Sequence, residues 1–380
     1  MATKLTKEEL ARYYRHLTLP EVGLNGQQRL KSAKVLLIGM GGLGCPVGLY
    51  LAAAGIGRLG LVDPDLVEQS NIHRQVLYGD ADVGRPKVEA AAERLRRVNP
   101  HIEIIPYATR FCIENAESLV GNYDLIVDGS DNFPTRFLVN DACLFARKPY
   151  VYGSVLQFHG QVSLFDADKG PCYRCLYPAP PTAGTVPSCA EAGVLGVVPG
   201  LVGLAQATEA VKWILGIGQS LVGRLILIDA LPLKFRELMV PKNPTCPLCG
   251  DEPTILTLRE EADTCKQQRD EDAEPSWEIS PRDLQAILDR GDPVQIVDVR
   301  EPSEYAICRL PGARLIPLSE ILTRKHELDP HVEIVLQCHH GIRSQQALEL
   351  LRMAGFANLK NLRGGIQAWA EEVDPVMPKY

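Results

Sequence analysis

The first two thirds of the chain alternate short apolar runs with longer stretches of helical periodicity. The apolar runs are KVLLIG, RLGLVD, IEIIPY, DLIVDG and YVYGSV, which begin at residues 34, 58, 102, 124 and 150. Continuous apolar runs that alternate with helical patterns are typical of parallel strands buried on both faces. The pattern therefore predicts an α/β fold with a mostly parallel sheet that is covered by helices on both faces.

A charged segment separates this region from a second, smaller one. Residues 259–274, REEADTCKQQRDEDAE, carry ten charges in sixteen positions without apolar periodicity, which predicts a solvated linker. Beyond it, PVQIVDVR, EIVLQC and NLKNLRGG predict strands, and SQQALELLRMAG predicts a helix that ends at Gly355. We expect a first domain over residues 1–255, a linker over 256–276 and a smaller α/β domain over 277–380.

Composition and charge exclude several classes of protein. The 380 residues are 46% hydrophobic, and a net charge of −7 argues against binding to nucleic acid or to an anionic membrane. The N-terminal MATKLTKEELARYYRHL lacks the apolar core of a signal peptide, which predicts a cytoplasmic protein. Residues 192–208 are apolar but too short to span a bilayer, so we expect a buried loop and helix there. Eleven cysteines in such a compartment are expected to be metal ligands, nucleophiles or core residues.

A glycine-rich loop stands between the first two predicted strands, in LLIGMGGLGCPVGLYLAAAGIGRLGLVD. Gly39, Gly41 and Gly44 would let backbone amides approach a phosphate, and a helix beginning near Gly44 would add its positive end. Asp63 lies where a Rossmann-like βαβ unit places an acid for a ribose hydroxyl. The motif by itself does not separate NAD from ATP, and a tight turn without a ligand is the remaining alternative.

Charged residues downstream favour ATP. Arg74 in SNIHRQ and Lys87 in GRPKVEAAAERL suit a triphosphate whose α-phosphorus must accept a nucleophile. In LIVDGSDNFPTRF, Asp131 suits Mg²⁺ that bridges phosphates. The alternative for Asp131 and Asn132 is a helix N-cap ahead of Pro134, which that motif alone favours.

These motifs, in this order and spacing, resemble the ubiquitin-activating and molybdopterin-synthase adenylyltransferase superfamily over residues 5–255. The resemblance implies ATP contacts at Gly42, Asp63, Ser70, Asn71, Ile72, His73, Arg74, Lys87, Asp131 and Asn132. It also implies a homodimer in which Arg15, of RYYRH, reaches the phosphates of the partner subunit. An NAD-dependent oxidoreductase becomes the alternative function.

Two Cys-x-x-Cys pairs and a lone cysteine lie near the end of the first domain. Cys172, Cys175, Cys246 and Cys249 would supply four thiolates for a structural Zn²⁺, and members of the resembled family carry the same pairs. The alternatives are unrelated thiols or a redox pair. Cys189, in PSCAEAGVLG, falls in a loop that in relatives passes near the acyl-adenylate, where a cysteine can accept the acyl group. A buried small residue is the alternative for Cys189.

The second domain contains another candidate nucleophile. Cys338, in QCHHGIRSQQALELL, is expected at the end of a buried strand, where loop amides, a helix N-terminus and Arg343 would hold an anion on sulfur. A cysteine phosphatase and a sulfurtransferase both use such a loop. Phosphatase loops have one residue more than the four between Cys338 and Arg343, so the smaller ring favours a persulfide sulfur.

Residues 277–380 resemble a single rhodanese domain. VDVREPSEY, LPGARLIPL, CHHGIRS and LRGGIQAW occur in the expected order, and AICRLPGA departs from the usual pattern outside the active loop. Cys308, in that departure, could resolve a persulfide, although an inert buried residue is favoured. His339 and His340 could tune the loop or be exposed bystanders.

The two resemblances together point to the adenylyltransferase/sulfurtransferase family. They imply that a ubiquitin-like sulfur carrier with a C-terminal Gly-Gly is adenylylated, and that a persulfide on Cys338 then displaces AMP. A cysteine desulfurase or thiosulfate would load Cys338, and Cys189 could release the carrier thiocarboxylate. A conjugating enzyme with a thioester at Cys189 and a scaffold with an inactive second domain are further alternatives. The implied catalytic residues are Arg74, Lys87, Cys189, Cys338 and Arg343.

Overall fold

The structure, a computed structural model, describes residues 4–181, 193–259 and 277–379. The chain divides into two compact units, Met1–Gln267 and Gln268–Tyr380. Cys189 and most of the expected linker lie outside the described residues, so the limits of the linker stay a prediction. Within the described ranges, no helix is long and apolar enough to cross a membrane.

One sheet of eight strands organises the first unit, in the order β3-β2-β1-β4-β5-β6-β7-β8. The strands are β1 (Lys34–Ile38), β2 (Arg58–Val62), β3 (Glu103–Tyr107), β4 (Leu125–Asp128), β5 (Tyr150–Leu156), β6 (His159–Phe165), β7 (Arg224–Asp229) and β8 (Lys234–Met239). The five strands predicted from the apolar runs are confirmed, and they form the parallel part of the sheet. β1, β2 and β4 are almost wholly buried because helices cover both faces, whereas β3 at the edge of the sheet is only partly buried.

The helices of the first unit connect these strands and cover the sheet. They are α1 (Lys7–Arg12), α2 (Tyr14–Leu17), α3 (Gly23–Ser32), α4 (Gly44–Ala54), α5 (Lys87–Val98), α6 (Ile113–Gly121), α7 (Phe133–Phe145), α8 (Tyr173–Leu176) and α9 (Val197–Leu215). The apolar stretch 192–208 thus supplies most of α9, and the predicted helix is confirmed. One face of α9, with Val198 and Val202, is buried, whereas Leu195 in the preceding loop is exposed, so the expectation of a buried loop was wrong.

Three antiparallel strands, β6 to β8, extend the sheet beyond its parallel part. They were not predicted. HGQVSLF in β6 and KFRELM in β8 mix polar with apolar residues and lack a continuous apolar run, whereas RLILID in β7 contains one that could have indicated a strand. β8 lies at the edge and all six of its residues are exposed. The carboxyl ends of β1, β2 and β4 meet at one edge of the parallel part, and the candidate residues follow those ends.

The second unit is a five-stranded parallel sheet in the order β11-β10-β12-β13-β9. Its strands are β9 (Glu278–Ile279), β10 (Val294–Asp298), β11 (Arg314–Leu315), β12 (Glu333–Gln337) and β13 (Leu359–Leu362). Its helices are α10 (Pro281–Arg290), α11 (Pro302–Ile307), α12 (Ile342–Met353) and α13 (Gly365–Glu372). The predicted strands and helix are confirmed, although α12 ends at Met353 and Gly355 follows in a left-handed conformation.

Candidate functional site

The glycine loop joins the end of β1 to the start of α4. Gly39 has a φ of 90° and its N–H donates to the carbonyl of Val62, 2.8 Å away. A Cβ on Gly44 would lie 2.0 Å from the carbonyl oxygen of Gly39, so only glycine fits that turn. The N-terminus of α4 therefore lies beside the loop, with amides and a positive helix end that suit phosphate.

Asp63 fixes the conformation of this loop. Its side chain is buried, and its two oxygens accept hydrogen bonds from the N–H of Met40 at 2.7 Å and of Asp65 at 2.9 Å. Burial raises the pKa of this carboxyl, while the charge of Lys87 and the two hydrogen bonds oppose the rise. The expected contact of Asp63 with a ribose stays a prediction.

Lys87 and Arg74 bring positive charge to the same edge, and each already has a partner. Lys87, the first residue of α5, is buried, and its Nζ lies 2.8 Å from an oxygen of Asp65, whose side chain is 62% exposed. Arg74 is partly buried, and its Nη1 donates to the carbonyl of Ser70 at 2.9 Å and lies 2.8 Å from Nε2 of His73. Both partners are accessible acceptors that an anionic ligand could replace.

The loop after β4 carries Asp131 and Asn132 to this edge. Oδ1 of Asn132 accepts a hydrogen bond from the N–H of Thr135 at 2.9 Å, with Pro134 in the first turn of α7. The capping alternative is therefore confirmed for Asn132. Asp131 is exposed next to it, where a carboxylate could hold Mg²⁺. β4 pairs directly with β1, so this loop and the glycine loop are neighbours.

The remaining predicted ATP contacts are Gly42, the run of residues 70–73 and Arg15. Gly42 lies against Arg74, since a Cβ built on it would be 3.7 Å from Cδ of Arg74. Asn71 is buried and donates to Oγ of Ser70 at 3.3 Å, in a 3₁₀ turn that precedes Ile72 and His73. Arg15 is exposed on α2, where its guanidinium lies 5.9 Å from the ring of Tyr14.

The residues at the start of the second described range, which begins at residue 193, lie beside Arg74. A Cβ on Gly196 would lie 2.7 Å from the carbonyl oxygen of His73 and 3.5 Å from Cβ of Arg74. The N–H of Leu195 donates to the carbonyl of Gln157 at 3.2 Å. The segment that follows Cys189 therefore returns to the edge that carries the charged residues.

Asp128 is a buried carboxylate that sequence reasoning missed. It ends β4 with no exposed surface, and its Oδ1 accepts hydrogen bonds from the N–H of Ser130 at 2.9 Å and from its Oγ at 2.6 Å. Burial raises the pKa of Asp128, and the charge of Arg136 opposes that rise. The available signal was an acid at the end of the apolar run DLIVDG. Asp128 holds the turn that leads to Asp131.

The four cysteines of the two pairs converge. The sulfur atoms of Cys172, Cys175, Cys246 and Cys249 all lie within 4.8 Å of one another. Their closest contacts are 3.6 Å between Cys172 and Cys246 and 3.4 Å between Cys175 and Cys249. A tetrahedron with Zn–S bonds of about 2.3 Å has edges of about 3.8 Å. The spacing of the sulfur atoms is therefore consistent with a closed zinc site. The alternative of unrelated thiols does not explain why the four sulfur atoms converge.

A buried ion pair attaches the first cysteine pair to α7. Arg174 lies between the two ligands and has no exposed side-chain surface. Its Nε and Nη2 each donate to an oxygen of Asp141 at 2.8 Å. The N–H of Tyr173 also donates to Oδ1 of Asn140, 2.7 Å away. Both acceptors lie on α7, so the cluster is fixed to the helix that begins at the loop of Asp131.

In the second unit, hydrogen-bond donors converge on the sulfur of Cys338. This residue follows β12 and is 1% exposed. Its Sγ accepts from the N–H of Gly341 at 3.1 Å and from Oγ of Ser344 at 3.4 Å. Its carbonyl accepts from the N–H of Ile366 at 2.9 Å, which ties the loop to α13. Ser344 was not named by the sequence analysis, although it lies in the motif CHHGIRS.

Arg343 forms an ion pair with a residue that sequence reasoning also missed. Its Nη1 and Nη2 donate to the two oxygens of Glu304 on α11, each at 2.7 Å. The paired side chains are 21% and 20% exposed. The predicted action of Arg343 on the Cys338 sulfur stays a prediction, and the charge of the guanidinium is accompanied by that of a carboxylate.

The structure also shows the surroundings of His339, His340 and Cys308 in this unit. The rings of His339 and His340 stack with centroids 4.2 Å apart. Burial, with the neighbouring His340, lowers the pKa of His339 to about 4, so that it is neutral at neutral pH. Cys308 is buried and its carbonyl accepts from Nη2 of Arg300 at 2.8 Å, which favours the inert interpretation.

Comparison with known proteins gives two matches along the chain. The model of the ThiF family matches residues 13–248, and the model of the rhodanese-like domain matches residues 280–372. The chain belongs to the ThiF family. Its ThiF region contains the glycine loop, the charged residues and three of the four clustered cysteines, Cys249 following directly after it, and its rhodanese-like region contains Cys338.

Relatives match over nearly the full length of this ThiF protein. It is 45% identical over 387 residues to the probable adenylyltransferase/sulfurtransferase MoeZ of Mycobacterium tuberculosis, with 100% of this chain and 97% of that protein covered. It is 43% identical over 405 residues to the adenylyltransferase and sulfurtransferase MOCS3 of Bos taurus, covering 99% and 89% of the two chains. These matches identify the ThiF protein as an adenylyltransferase and sulfurtransferase, and they do not favour the oxidoreductase alternative.

Solved structures share the ThiF fold. The crystal structure of E. coli MccB with ATP has a TM-score of 0.55 and 25% sequence identity, and the match covers 66% of this chain and 75% of that one. The match confirms the α/β fold with its mostly parallel sheet.

Proposed function

We propose that the ThiF region adenylylates the C-terminal glycine of a ubiquitin-like sulfur carrier, and that the rhodanese-like region supplies sulfur for its thiocarboxylate. One observation carries the proposal. A single chain combines a glycine loop flanked by Lys87 and Arg74 with a cysteine whose sulfur accepts two hydrogen bonds. The first arrangement suits a triphosphate, and the second suits a sulfur that carries negative charge.

In the adenylation step, ATP phosphates would lie against the glycine loop and the N-terminus of α4. The carrier carboxylate attacks the α-phosphorus, the bond to pyrophosphate breaks, and an acyl-adenylate forms. Lys87 would exchange Asp65 for a phosphate oxygen, and Arg74 would give up the carbonyl of Ser70 in the same way. Both cations then balance the charge that develops during the transfer.

Two further elements complete the proposed adenylation site. Asp131 would hold Mg²⁺, which supplies positive charge for the phosphates when it is bound. Its exposed carboxylate beside the glycine loop fits that role. We also propose a homodimer in which Arg15, exposed on α2, reaches the phosphates of the partner subunit.

In the sulfur-transfer step, the Cys338 thiolate takes the outer sulfur of a cysteine desulfurase persulfide or of thiosulfate. The resulting persulfide attacks the carbonyl carbon of the acyl-adenylate, AMP leaves, and the carrier is joined to Cys338 through an acyl disulfide. Cys189 then attacks the sulfur that belongs to Cys338. This releases the carrier thiocarboxylate and leaves a Cys189–Cys338 disulfide, which an external thiol reduces.

The proposal also includes a bound zinc ion, a cellular compartment and the limits of the domains. Cys172, Cys175, Cys246 and Cys249 would hold one Zn²⁺ in a structural role, since all four positions of a tetrahedral ion are then occupied. We propose a cytoplasmic protein, because that compartment keeps the reactive thiols reduced. We also propose the domain limits 1–255 and 277–380, joined by the linker 256–276.

The proposal is tested by incubating the purified chain with ATP, a sulfur donor (cysteine persulfide and thiosulfate in separate reactions) and each of several carriers that end in Gly-Gly. Intact mass measurement should show one carrier in which sulfur replaces oxygen, and only when ATP is present. Omission of ATP is the control. Tight binding of NADH, with no change in any carrier, would contradict the proposal and favour an oxidoreductase.

A further inference from the structure

The ion pair between Arg343 and Glu304 lies next to the reactive sulfur. Arg343 is in the first turn of α12, and the next residue, Ser344, donates to Sγ of Cys338 at 3.4 Å. The charge of Glu304 also acts on the ring of His339, which directly follows Cys338. The pair therefore belongs to the surroundings of the sulfur and not to a remote surface.

Glu304 is held in its charged form. Partial burial disfavours the carboxylate, but the Arg343 guanidinium and the N–H of Glu301 outweigh that cost and lower its pKa. Both oxygens contact Arg343 in a planar, two-bond arrangement, which is the strongest form of this pair. At neutral pH the positive charge that Arg343 brings to the loop is accompanied by a full negative charge.

A second guanidinium near this loop is compensated in the same way. Arg300 is fully buried, and its Nη2 lies 2.6 Å from Oδ2 of Asp298, which is also fully buried. His339 is neutral at neutral pH because burial lowers its pKa to about 4. The described donors on the sulfur itself, Gly341 and Ser344, are uncharged. These groups thus offer dipoles to a single sulfur anion and little net positive charge to a more highly charged ligand.

We propose that Glu304 determines donor specificity: by balancing Arg343, it selects a cysteine persulfide and disfavours thiosulfate. The inference rests on the proposed transfer of sulfur through Cys338. With a cysteine persulfide, the Cys338 thiolate bonds to the outer sulfur while the bond to the donor sulfur breaks, and one cysteine thiolate leaves. With thiosulfate, the same displacement releases sulfite, so a dianion must enter and a dianion must leave. A charge-balanced site stabilises that donor less.

The test compares two donors on the full chain, with thiosulfate and cysteine persulfide as probes and Glu304→Gln as the variant. Gln keeps the shape and one hydrogen bond of Glu304 but removes its charge. We expect thiosulfate to add sulfur to Cys338 about tenfold faster in the variant, because a nearby cation is released. Loading from cysteine persulfide should change less than about twofold. Intact mass at short times measures both rates.

Two controls isolate the charge. Glu327→Gln removes the same charge from a partly exposed pair with Arg324 and should leave both rates unchanged. Glu304→Asp keeps the charge and should retain the preference of the wild-type protein. The gain with thiosulfate should also shrink as salt is raised, because salt screens charge and not shape.

The outcomes separate this inference from the function on which it rests. If wild-type Cys338 loads from cysteine persulfide but Glu304→Gln accelerates both donors equally, or neither, the inference is overturned and the proposed function stands. If neither donor loads wild-type Cys338, the proposed function itself fails. Should the Gln variant not fold, the wild-type protein decides. A thiosulfate rate that falls steeply with salt would show uncompensated positive charge and contradict the inference.

Discussion

The glycine loop and the Cys338 loop occupy the same position in their sheets but differ in what their donors contact. Each follows a buried parallel strand and precedes a helix, β1 to α4 in one unit and β12 to α12 in the other. At the glycine loop, Lys87 pairs with the exposed Asp65 and Arg74 with a backbone carbonyl. At the second loop, Gly341 and Ser344 donate directly to the sulfur of Cys338.

The difference follows from where the reacting atom comes from. The phosphorus of a nucleotide arrives from solution. Lys87 and Arg74, which would contact the phosphates, therefore pair with acceptors of the protein until phosphate displaces those acceptors. The sulfur of Cys338 belongs to the chain, so its donors can be in place before any substrate binds. The first site is therefore sensitive to removal of charge, and the second to removal of one atom.

The largest expected effect concerns the cysteine cluster that we propose to bind zinc; among the described residues, such a cluster occurs in the first unit alone. Cys246→Ser/Cys249→Ser should remove the metal and lower the free energy of unfolding of that unit by about 5 kcal/mol or more, because the metal joins segments far apart in sequence. Metal analysis and hydrogen exchange resolved by peptide measure both changes. The second unit should be unaffected and serves as the internal control. Full zinc content in the double variant would rule this site out.

The buried pair of Arg174 and Asp141 should have the next largest effect. Asp141→Asn leaves the Arg174 charge buried without its partner, which should cost about 3–5 kcal/mol of unfolding free energy in the first unit. The matched control is Glu237→Gln, which breaks an exposed pair with Arg224 and should cost less than about 1 kcal/mol. Equal losses in the two variants would show that the attachment of the cysteine cluster to α7 does not stabilise this unit.

The cations of the glycine loop should have a smaller effect, confined to chemistry. Lys87→Ala and Arg74→Ala should each slow carrier-dependent exchange of pyrophosphate into ATP by about 10²-fold, or about 2.7 kcal/mol of transition-state stabilisation. Loading of Cys338 with sulfur should not change. Arg97→Ala, which removes an exposed cation from the same helix α5, is the control. Exchange near the wild-type rate in both site variants would show that the charges were assigned wrongly.

Local sequence signals predicted much of this comparison. The parallel strands follow from continuous apolar runs, the tight turn at Gly39 from the glycine spacing, and the cysteine cluster from two pairs with ligand spacing. Each is visible within a few residues of the chain.

What escaped prediction depends on residues that are distant in sequence or on the choice between neighbours. Glu304 and Arg343 are 39 residues apart, and no local pattern connects them. Strands β6 and β8 mix polar with apolar residues, so their pairing is decided by the sheet that they join. At the loop after β4, two adjacent polar residues could cap α7, and only the fold shows that Asn132 does so.

The central claim is that one chain carries two separable chemistries, and Cys338→Ala tests it most directly. Adenylation needs the carrier carboxylate, phosphates and the cations of the first unit, and no thiol of the second. Sulfur transfer needs the one sulfur on which Gly341 and Ser344 converge. We predict that the variant, given ATP, carrier and cysteine persulfide, still forms the acyl-adenylate at the wild-type rate but no thiocarboxylate. Undiminished thiocarboxylate formation would contradict the account, because sulfur would then reach the adenylate without Cys338.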